Sequence, residues 1–323
     1  MSAPARIAFA GTPQFAVPTL AALVASGARV PVVLTQPDRP AGRGRELRAS
    51  PVKLAAAARG LRVAQPDSLR STGAIDDLGE APDLLVVVAY GLLLPPAMLA
   101  WPRLGCVNLH ASLLPRWRGA APIQHALLAR DATTGVSLMR IERGLDTGAV
   151  YLARSTPIGA RETAGELHDR LATLAAETLA AALPSLLAGA LVPVPQQESL
   201  ATQAPKIAKT DAALDWRRSA LELDARVRAF DPWPVAETRL ARGERLRVWR
   251  AEPRAPNASD GGGQVGGAAG PPGTIVAAGP AGIDVATGEG VLRLMRVQPP
   301  SGRVMDAGAY VAAHPLHGAA FVF

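Results

Sequence analysis

The sequence predicts an α/β fold in two parts: a Rossmann-like, doubly wound and mostly parallel sheet, followed by a smaller C-terminal β-barrel of OB-like type. Residues 6–150 alternate short β-branched runs with amphipathic or Ala-rich segments, as in a parallel sheet covered by helices on both faces. Beyond position 211, short alternating segments are separated by turn residues, which favours a small barrel. The length of 323 residues also exceeds what one hydrophobic core usually organises.

The elements of the first part follow from its apolar runs. We predict strands over residues 6–10, 30–35, 84–90, 105–110 and 136–141. Between the first two strands, Thr12 is placed to cap a helix, Pro13 suits its first position and Gly27 follows its end. This turn lacks the Gly-x-Gly-x-x-Gly motif that a dinucleotide site requires. The sequence therefore predicts the sheet without a nicotinamide cofactor.

One uncharged stretch, residues 84–102, is long enough for a membrane helix. Gly91, Pro95 and Pro96 interrupt it, so we predict a buried strand, a turn, and a short helix beginning near Pro95 or Pro96. The start of the chain has no long apolar segment behind basic residues, so no secretory signal is expected.

Cysteine usage points to a reducing compartment. Cys106 is the single cysteine, so it cannot form an intrachain disulfide, and no cysteine cluster has metal-ligand spacing. We therefore predict a cytoplasmic protein without a structural metal, in which Cys106 packs as a small core residue.

The second half begins with a predicted helix over 162–187, followed by a Pro-containing segment with few periodic apolar residues. We predict a first domain over 1–189, an extended linker over 190–210 and a second domain over 211–323. Within the second domain we predict a helix over 221–229, strands over 246–249, 274–277 and 290–297, and a Gly-rich loop over 253–273.

The formal charge of +7 comes from 34 basic and 27 acidic residues. Most basic residues are arginines, which suit planar recognition of phosphate. A nucleic-acid partner and a GC-rich genome both explain this composition, and charge alone leaves the two interpretations open.

Polar side chains meet near the end of the fourth predicted strand. Asn108 and His110 alternate with Leu109, so both side chains point to one face, at the carboxyl end where open α/β sheets bind ligands. Asp146 lies in the Gly-Leu-Asp-Thr-Gly segment, and beside His110 its carboxylate would fix the imidazole tautomer. An amide, an imidazole and a carboxylate in one compact domain indicate an active site.

This constellation, together with the Ser-Leu-Leu-Pro segment that follows His110, resembles the folate-dependent formyltransferases. The resemblance implies the formyltransferase fold and 10-formyltetrahydrofolate as donor, with Asn108, His110 and Asp146 around the formyl carbon. Formyl transfer passes through a tetrahedral oxyanion, so Asn108 and His110 would donate hydrogen bonds to it while Asp146 relays the amine proton. The resemblance also assigns folate binding to two segments, namely Ser112, Leu113, Leu114 and Pro115, and Val88, Tyr90 and Gly91. Tyr90 and Leu113 could equally be packing residues.

A polar, arginine-rich segment over residues 36–48 joins the second strand to the next helix. It could be a solvated loop, but glycines between arginines also suit a segment that orders on an RNA backbone. Three segments resemble the methionyl-tRNA formyltransferases in sequence: this loop, the run that begins at Trp117, and the Asp-Pro-Trp-Pro segment. That resemblance implies transfer to the α-amino group of methionine on initiator tRNA, with tRNA contacts from Arg39, Arg43, Arg45, Lys206 and Lys209.

Two alternatives stay open at this point. A formyltransferase acting on a small amine, such as a nucleotide-linked amino sugar, would share the three catalytic candidates but would not need the arginine loop. A non-catalytic RNA-binding protein would explain the charge but not the amide, imidazole and carboxylate. We expect a monomer that binds tRNA and folate and does not associate with a membrane.

Overall fold

The computed structural model describes residues 3–41, 46–69, 75–241, 243–254, 270–316 and 319–322. The chain divides into two compact units. The first unit contains Met1–Pro122, Thr133–Ile158 and His168–Pro205, and the second contains Ile123–Ala132, Gly159–Leu167 and Lys206–Phe323.

The strands in chain order are β1 (Ile7–Gly11), β2 (Val33–Leu34), β3 (Arg39–Ala41), β4 (Glu46–Arg48), β5 (Val63–Ala64), β6 (Leu84–Val88), β7 (Cys106–His110), β8 (Arg118–Gly119), β9 (Thr133–Arg140), β10 (Val150–Pro157), β11 (Gln203–Ala204), β12 (Ala236–Leu240), β13 (Arg245–Arg254), β14 (Ile275–Gly279), β15 (Gly282–Ala286), β16 (Val291–Gln298), β17 (Met305–Asp306) and β18 (Phe321–Val322). The α-helices are α1 (Val17–Ala25), α2 (Pro51–Ala57), α3 (Pro96–Ala100), α4 (Pro122–Leu128), α5 (Ala164–Leu187), α6 (Ala220–Ala229) and α7 (Ala307–Ala313).

A seven-stranded sheet in the order β10-β9-β7-β6-β1-β2-β5 organises the first unit. The five strands from β7 to β5 pair in parallel, whereas β9 pairs antiparallel with both β7 and β10. Every residue of β1 and β6 is buried, because a parallel sheet with both faces covered takes continuous apolar strands. The predicted α/β fold with a mostly parallel sheet is confirmed.

The stretch over residues 84–102 is not one helix. It forms β6, a turn at Gly91 with φ of +88°, and α3, which follows Pro95. Cys106 is buried in the core beside Met98 and Trp101, as predicted, and burial raises the pKa of its thiol to about 12.

The prediction that Thr12 caps a helix is wrong. The chain first makes a short 3-10 turn, and α1 then begins at Val17 without a side-chain cap. The Thr12 hydroxyl instead donates to the Tyr90 carbonyl at 2.9 Å and accepts from the Gln36 amide at 3.3 Å. It thereby bonds main-chain groups of the residues that follow β6 and β2. Without Thr12 these buried groups would have no hydrogen-bond partner. Gly27 does follow the helix, with φ of +79°.

Helix α5 agrees with the helix predicted over 162–187. Over the part of the chain that the structure describes, it is the one helix long and apolar enough to cross a membrane, and half of its most apolar window is buried within the protein. Burial of that extent is also what the core helix of a globular protein shows.

An antiparallel sheet in the order β14-β15-β16-β13-β12-β18 organises the second unit, with β17 paired to β16. A bridge between Thr274 and Ala320 links the two ends of this order, so the sheet curls into a barrel-like form. Buried Trp216 stacks on Phe321, and its indole nitrogen donates to the Thr238 hydroxyl at 3.0 Å. The predicted C-terminal barrel is confirmed in this curled antiparallel form.

The predicted linker over 190–210 is divided between the two units. Its residues up to Pro205 belong to the first unit, where Val194 bridges to Val150 and β11 pairs in parallel with β8. The domain boundaries stay a prediction. Residues 255–269, most of the predicted Gly-rich loop, lie outside the described residues.

Candidate active site

Strand β7 places the first two candidate residues. Asn108 is half-buried and His110 is buried, and their i, i+2 spacing puts both side chains on one face. In the register of the sheet, Asn108 lies beside Val87 and Met139, and His110 lies beside Ser137. Within the described residues, the Asn108 side chain has no hydrogen-bond partner, so its amide is available to a ligand.

The His110 ring is oriented by a main-chain carbonyl. Its Nε2 lies 2.8 Å from the Trp117 oxygen. A carbonyl oxygen can only accept, so Nε2 carries the hydrogen, and Nδ1 faces the Asp146 carboxylate at 3.7 Å. The tautomer is therefore fixed by Trp117, not by Asp146 as we expected, because 3.7 Å is too long for a hydrogen bond.

Asp146 is held at both its main chain and its side chain. Its Oδ2 accepts from the Gly119 amide at 2.9 Å, and its carbonyl accepts from Gln196 Nε2 at 2.8 Å. Its φ of +52° lies in the left-handed region, which aspartate tolerates better than most residues but which still needs support from its surroundings. These contacts fix the carboxylate beside His110.

The segment Ser112–Pro115 forms a braced loop after β7. Ser112 is buried, and its hydroxyl donates to the Arg116 carbonyl at 2.6 Å. Ser137 of β9 donates to the Ser112 carbonyl at 2.8 Å and accepts from the Leu114 amide at 3.0 Å. Leu113, Leu114 and Pro115 are half-buried. The loop therefore presents a fixed backbone.

In the other predicted folate segment, Val88 and Tyr90 are buried and Gly91 is exposed. The Tyr90 side chain is 2% exposed and packs in the core cluster of the sheet. Burial raises the pKa of its hydroxyl to about 12, and among the described residues that hydroxyl has no hydrogen-bond partner. Of these three residues, Gly91 is the exposed one.

A buried amide lies beside the same turn. Gln36 Nε2 has no hydrogen-bond partner in the part of the chain that the structure describes, and a Cβ built on Gly91 would lie 3.7 Å from it. An unsatisfied buried donor costs free energy unless a ligand or water accepts from it. The turn thus offers open backbone and one free donor.

The predicted tRNA contacts are placed only in part. Arg39 is exposed and its guanidinium donates to Gln36 Oε1 at 2.8 Å. Arg43 and Arg45 lie outside the described residues. Lys206 and Lys209 are exposed in the second unit.

The base of the arginine-rich segment is held by an ion pair. Asp38 accepts from Lys53 at 2.6 Å and from Gln65 at 2.7 Å. The hydrogen bond from Lys53 contributes most to holding the pKa of Asp38 below its usual value of 3.8.

Comparison with known proteins identifies the family. The family model described as formyl transferase matches residues 5–183, and the model described as formyl transferase, C-terminal domain, matches residues 206–315. The chain belongs to the formyl transferase family.

Relatives of this formyl transferase match over nearly its whole length. The methionyl-tRNA formyltransferase of Methylococcus capsulatus is 54% identical over 316 residues, which are 97% of this chain and 98% of the relative. That of Xylella fastidiosa strain 9a5c is 54% identical over 95% of this chain and 97% of its own. The crystal structure of WlaRD, a sugar 3N-formyl transferase, superposes with a TM-score of 0.64 at 14% identity, covering 91% of this chain and 98% of its own. This last likeness concerns the fold.

Sequence reasoning missed four residues that support the formyl transferase site: Trp117, Arg118, Ser137 and Gln196. Ser137 and Gln196 act from segments that carry no motif, since one lies inside a strand and the other in the predicted linker. The run from Trp117 contributes to the family resemblance, but nothing in its sequence indicates that Arg118 is buried.

Proposed function

We propose that this formyl transferase moves a formyl group from 10-formyltetrahydrofolate to the α-amino group of methionine on initiator methionyl-tRNA, giving N-formylmethionyl-tRNA for translation initiation. The observation that carries the proposal is the 54% identity to a methionyl-tRNA formyltransferase over 97% of this chain. Similarity of that extent includes both units. If only the catalytic core were shared, the similarity would be confined to the first unit.

The chemistry needs hydrogen-bond donors and a path for one proton. A carbon–nitrogen bond forms between the amine and the formyl carbon, the bond from that carbon to N10 of the folate breaks, and one proton passes from the amine to N10. The free Asn108 amide is the donor for the oxyanion. Asp146 and Nδ1 of His110 lie 3.7 Å apart, on the path that we assign to the proton.

His110 can donate to the oxyanion, as predicted, only after one of its own hydrogen bonds opens. Its Nε2–H is donated to the Trp117 carbonyl, so that bond must open before Nε2 can donate to a substrate oxygen. Asn108 needs no such rearrangement. We therefore assign the first oxyanion contact to Asn108 and place His110 second.

The residues present fit a folate donor. The free Gln36 Nε2 can donate to an acceptor atom of the folate heterocycle, and the backbone at Gly91 beside it is open. The Ser112–Pro115 loop, fixed by Ser137, supplies a second backbone surface. WlaRD was crystallised in the presence of 5-N-formyl-tetrahydrofolate, a related folate. We assign binding to Val88, Tyr90 and Gly91 through their backbone, with the Tyr90 side chain serving the core.

For the tRNA we assign phosphate contacts to Arg39, Arg43 and Arg45 of the loop and to Lys206 and Lys209. We assign the chemistry to residues 1–189 and tRNA binding to 211–323, joined by 190–210. The excess of 34 basic over 27 acidic residues supports a polyanionic partner. We place the reaction in the cytoplasm, carried out by a monomer without membrane attachment.

A small-amine acceptor is the second candidate considered above, and it is not favoured. The relatives that are 54% identical over 95–97% of this chain are methionyl-tRNA formyltransferases. A small acceptor would also leave the arginines of residues 36–48 without a function in substrate binding.

The deciding experiment compares formyl transfer from 10-formyltetrahydrofolate to charged initiator tRNA, charged elongator methionine tRNA and free methionine. We expect rapid transfer to the initiator and little to the other two. Replacing Arg39, Arg43 and Arg45 together by alanine should weaken only the tRNA reaction. Efficient transfer to an amino sugar with none to charged tRNA would overturn the proposal.

A further inference from the structure

A chain of hydrogen bonds runs from the protein surface to the main chain of Asp146. It begins at exposed Glu198, passes through the Arg118 guanidinium and the Gln196 side chain, and ends on the carbonyls of Asp146 and Gly148. All five residues belong to the first unit. Two of them, Gln196 and Glu198, come from the segment that the sequence suggested was only a linker.

The Gln196 amide has one possible orientation. Its Oε1 accepts from Arg118 Nε at 3.0 Å and from Nη2 at 2.9 Å, and a guanidinium can only donate. Its Nε2 must therefore point the other way, where it donates to the Asp146 carbonyl at 2.8 Å and the Gly148 carbonyl at 2.7 Å. Both hydrogens and both lone pairs of the amide are used, so the side chain is fixed from both ends.

Arg118 holds Gln196 from a buried position. It is 1% exposed, and Glu198 accepts from its Nη1 at 2.8 Å and its Nη2 at 2.9 Å. This pairing keeps the pKa of Glu198 below its usual value of 4.5. A buried guanidinium requires partners for its donors, and Gln196 and Glu198 share that function.

The residue after Arg118 holds the other end of Asp146. The Gly119 amide donates to Asp146 Oδ2 at 2.9 Å. Gly119 has φ of +121°, and a Cβ there would lie 2.7 Å from the Ala204 carbonyl oxygen, so the pairing of β8 with β11 requires glycine. Gln196 and Gly119 thus hold Asp146 by its carbonyl and by its carboxylate, respectively.

We propose that Gln196, oriented by Arg118, is a positioning residue for Asp146. The inference rests on the proposed function for its activity readout. Asp146 has φ of +52°, so the turn needs external contacts to keep the carboxylate beside His110. A displacement of about 1 Å at a reacting group lowers rates by about 10²-fold.

The test uses the full-length protein with two substitutions at one position. Gln196→Ala removes all four hydrogen bonds, whereas Gln196→Glu keeps an acceptor for Arg118 and loses the donors to Asp146 and Gly148. Both should lower kcat by about 10-fold to 100-fold and leave KM for the folate donor within about twofold. Gln197→Ala is the matched control, since Gln197 is exposed and, among the described residues, donates to Ser199 alone. Wild-type kcat in both Gln196 variants would overturn the proposal.

A double-variant cycle separates positioning from general loss of structure. In single-turnover assays with excess enzyme, Gln196→Ala should have little effect in an Asp146→Asn background, because residues that act as a unit are non-additive. Equal effects in both backgrounds would assign Gln196 a merely structural role.

Amide hydrogen exchange supplies a readout that does not depend on activity. Peptides covering residues 144–152 should exchange faster in Gln196→Ala than in the wild type and in Gln197→Ala. If the wild type does not formylate charged initiator tRNA, the proposed function fails, and exchange still tests whether Gln196 holds the turn. Unchanged exchange would overturn the positioning role.

Discussion

At the scale of single residues, the site is defined by which polar atoms already have partners. His110 Nε2 is bound to the Trp117 carbonyl and Asp146 Oδ2 to the Gly119 amide, at 2.8 Å and 2.9 Å. The Asn108 amide, by contrast, has no partner among the residues the structure describes. A ligand oxygen can therefore reach Asn108 without displacing a protein contact, which is what an oxyanion donor requires.

Substitution of Asn108 and Asp146 should separate binding from turnover. We expect Asn108→Ala to lower kcat by about 10²-fold to 10³-fold, as for loss of an oxyanion donor, and Asp146→Ala by about 10²-fold to 10⁴-fold. Affinity for tRNA should stay near that of the wild type in both. Steady-state kinetics and tRNA binding check this, with Glu142→Ala, an exposed carboxylate in the same turn, as control. A variant with wild-type kcat removes that residue from the mechanism.

Tyr90→Phe should not reduce stability. Its hydroxyl is buried without a partner among the described residues, so removing it relieves a desolvation cost. We expect the free energy of unfolding to stay the same or to rise by up to about 1 kcal/mol, measured by urea denaturation. KM for the folate donor should also be unchanged if the turn binds through its backbone. A marked rise in KM would show that the hydroxyl contacts the ligand.

At the scale of elements, helix α6 shows how a local motif stabilises the second unit. The Ser219 hydroxyl accepts from the Glu222 amide at 3.3 Å, and Glu222 Oε2 accepts from the Ser219 amide at 2.9 Å, which is a capping box. The main-chain hydrogen bond from Ser219 contributes most to lowering the pKa of Glu222.

Ser219→Ala should lower the free energy of unfolding by about 1 kcal/mol at neutral pH. The effect of Glu222→Gln should depend on pH. Because the folded-state pKa of Glu222 lies below its usual value of 4.5, its contribution is present above that value and is lost as the pH falls through the folded-state pKa. Urea denaturation at neutral and at strongly acidic pH should show the difference between Glu222→Gln and the wild type shrink on acidification. An equal difference at both would contradict this account.

At the scale of the whole molecule, the arginine-rich composition predicts a salt-dependent reaction. Neutralising tRNA phosphates releases counterions, so affinity for charged tRNA should fall by at least about 10-fold between about 50 and 200 mM salt. KM for the folate donor should change much less. Arg43→Ala should reduce the slope of log affinity against log salt by about one, while Arg154→Ala, whose side chain pairs with Glu177, serves as control. A flat salt dependence would argue against phosphate contacts.

The sequence alone determined the longer parallel strands, helix α5 and the three catalytic candidates. The parallel strands were predictable because buried strands such as β6 carry continuous apolar runs, and α5 because its apolar residues follow a helical period. Asn108 and His110 could be placed together because they share one strand. Such inferences depend on local periodicity and on motif spacing, which the chain carries without folding.

Only the tertiary structure decided how the candidates are held. Thr12 serves the Tyr90 carbonyl instead of a helix end, Trp117 fixes the His110 tautomer, and Gln196 reaches Asp146 from 50 residues away. None of these pairings leaves a periodic signal, because each joins a side chain to a main-chain group outside its own helix, strand or turn. Main-chain donors and acceptors are the same at every residue, so the sequence cannot show which one a side chain will meet until the chain has folded.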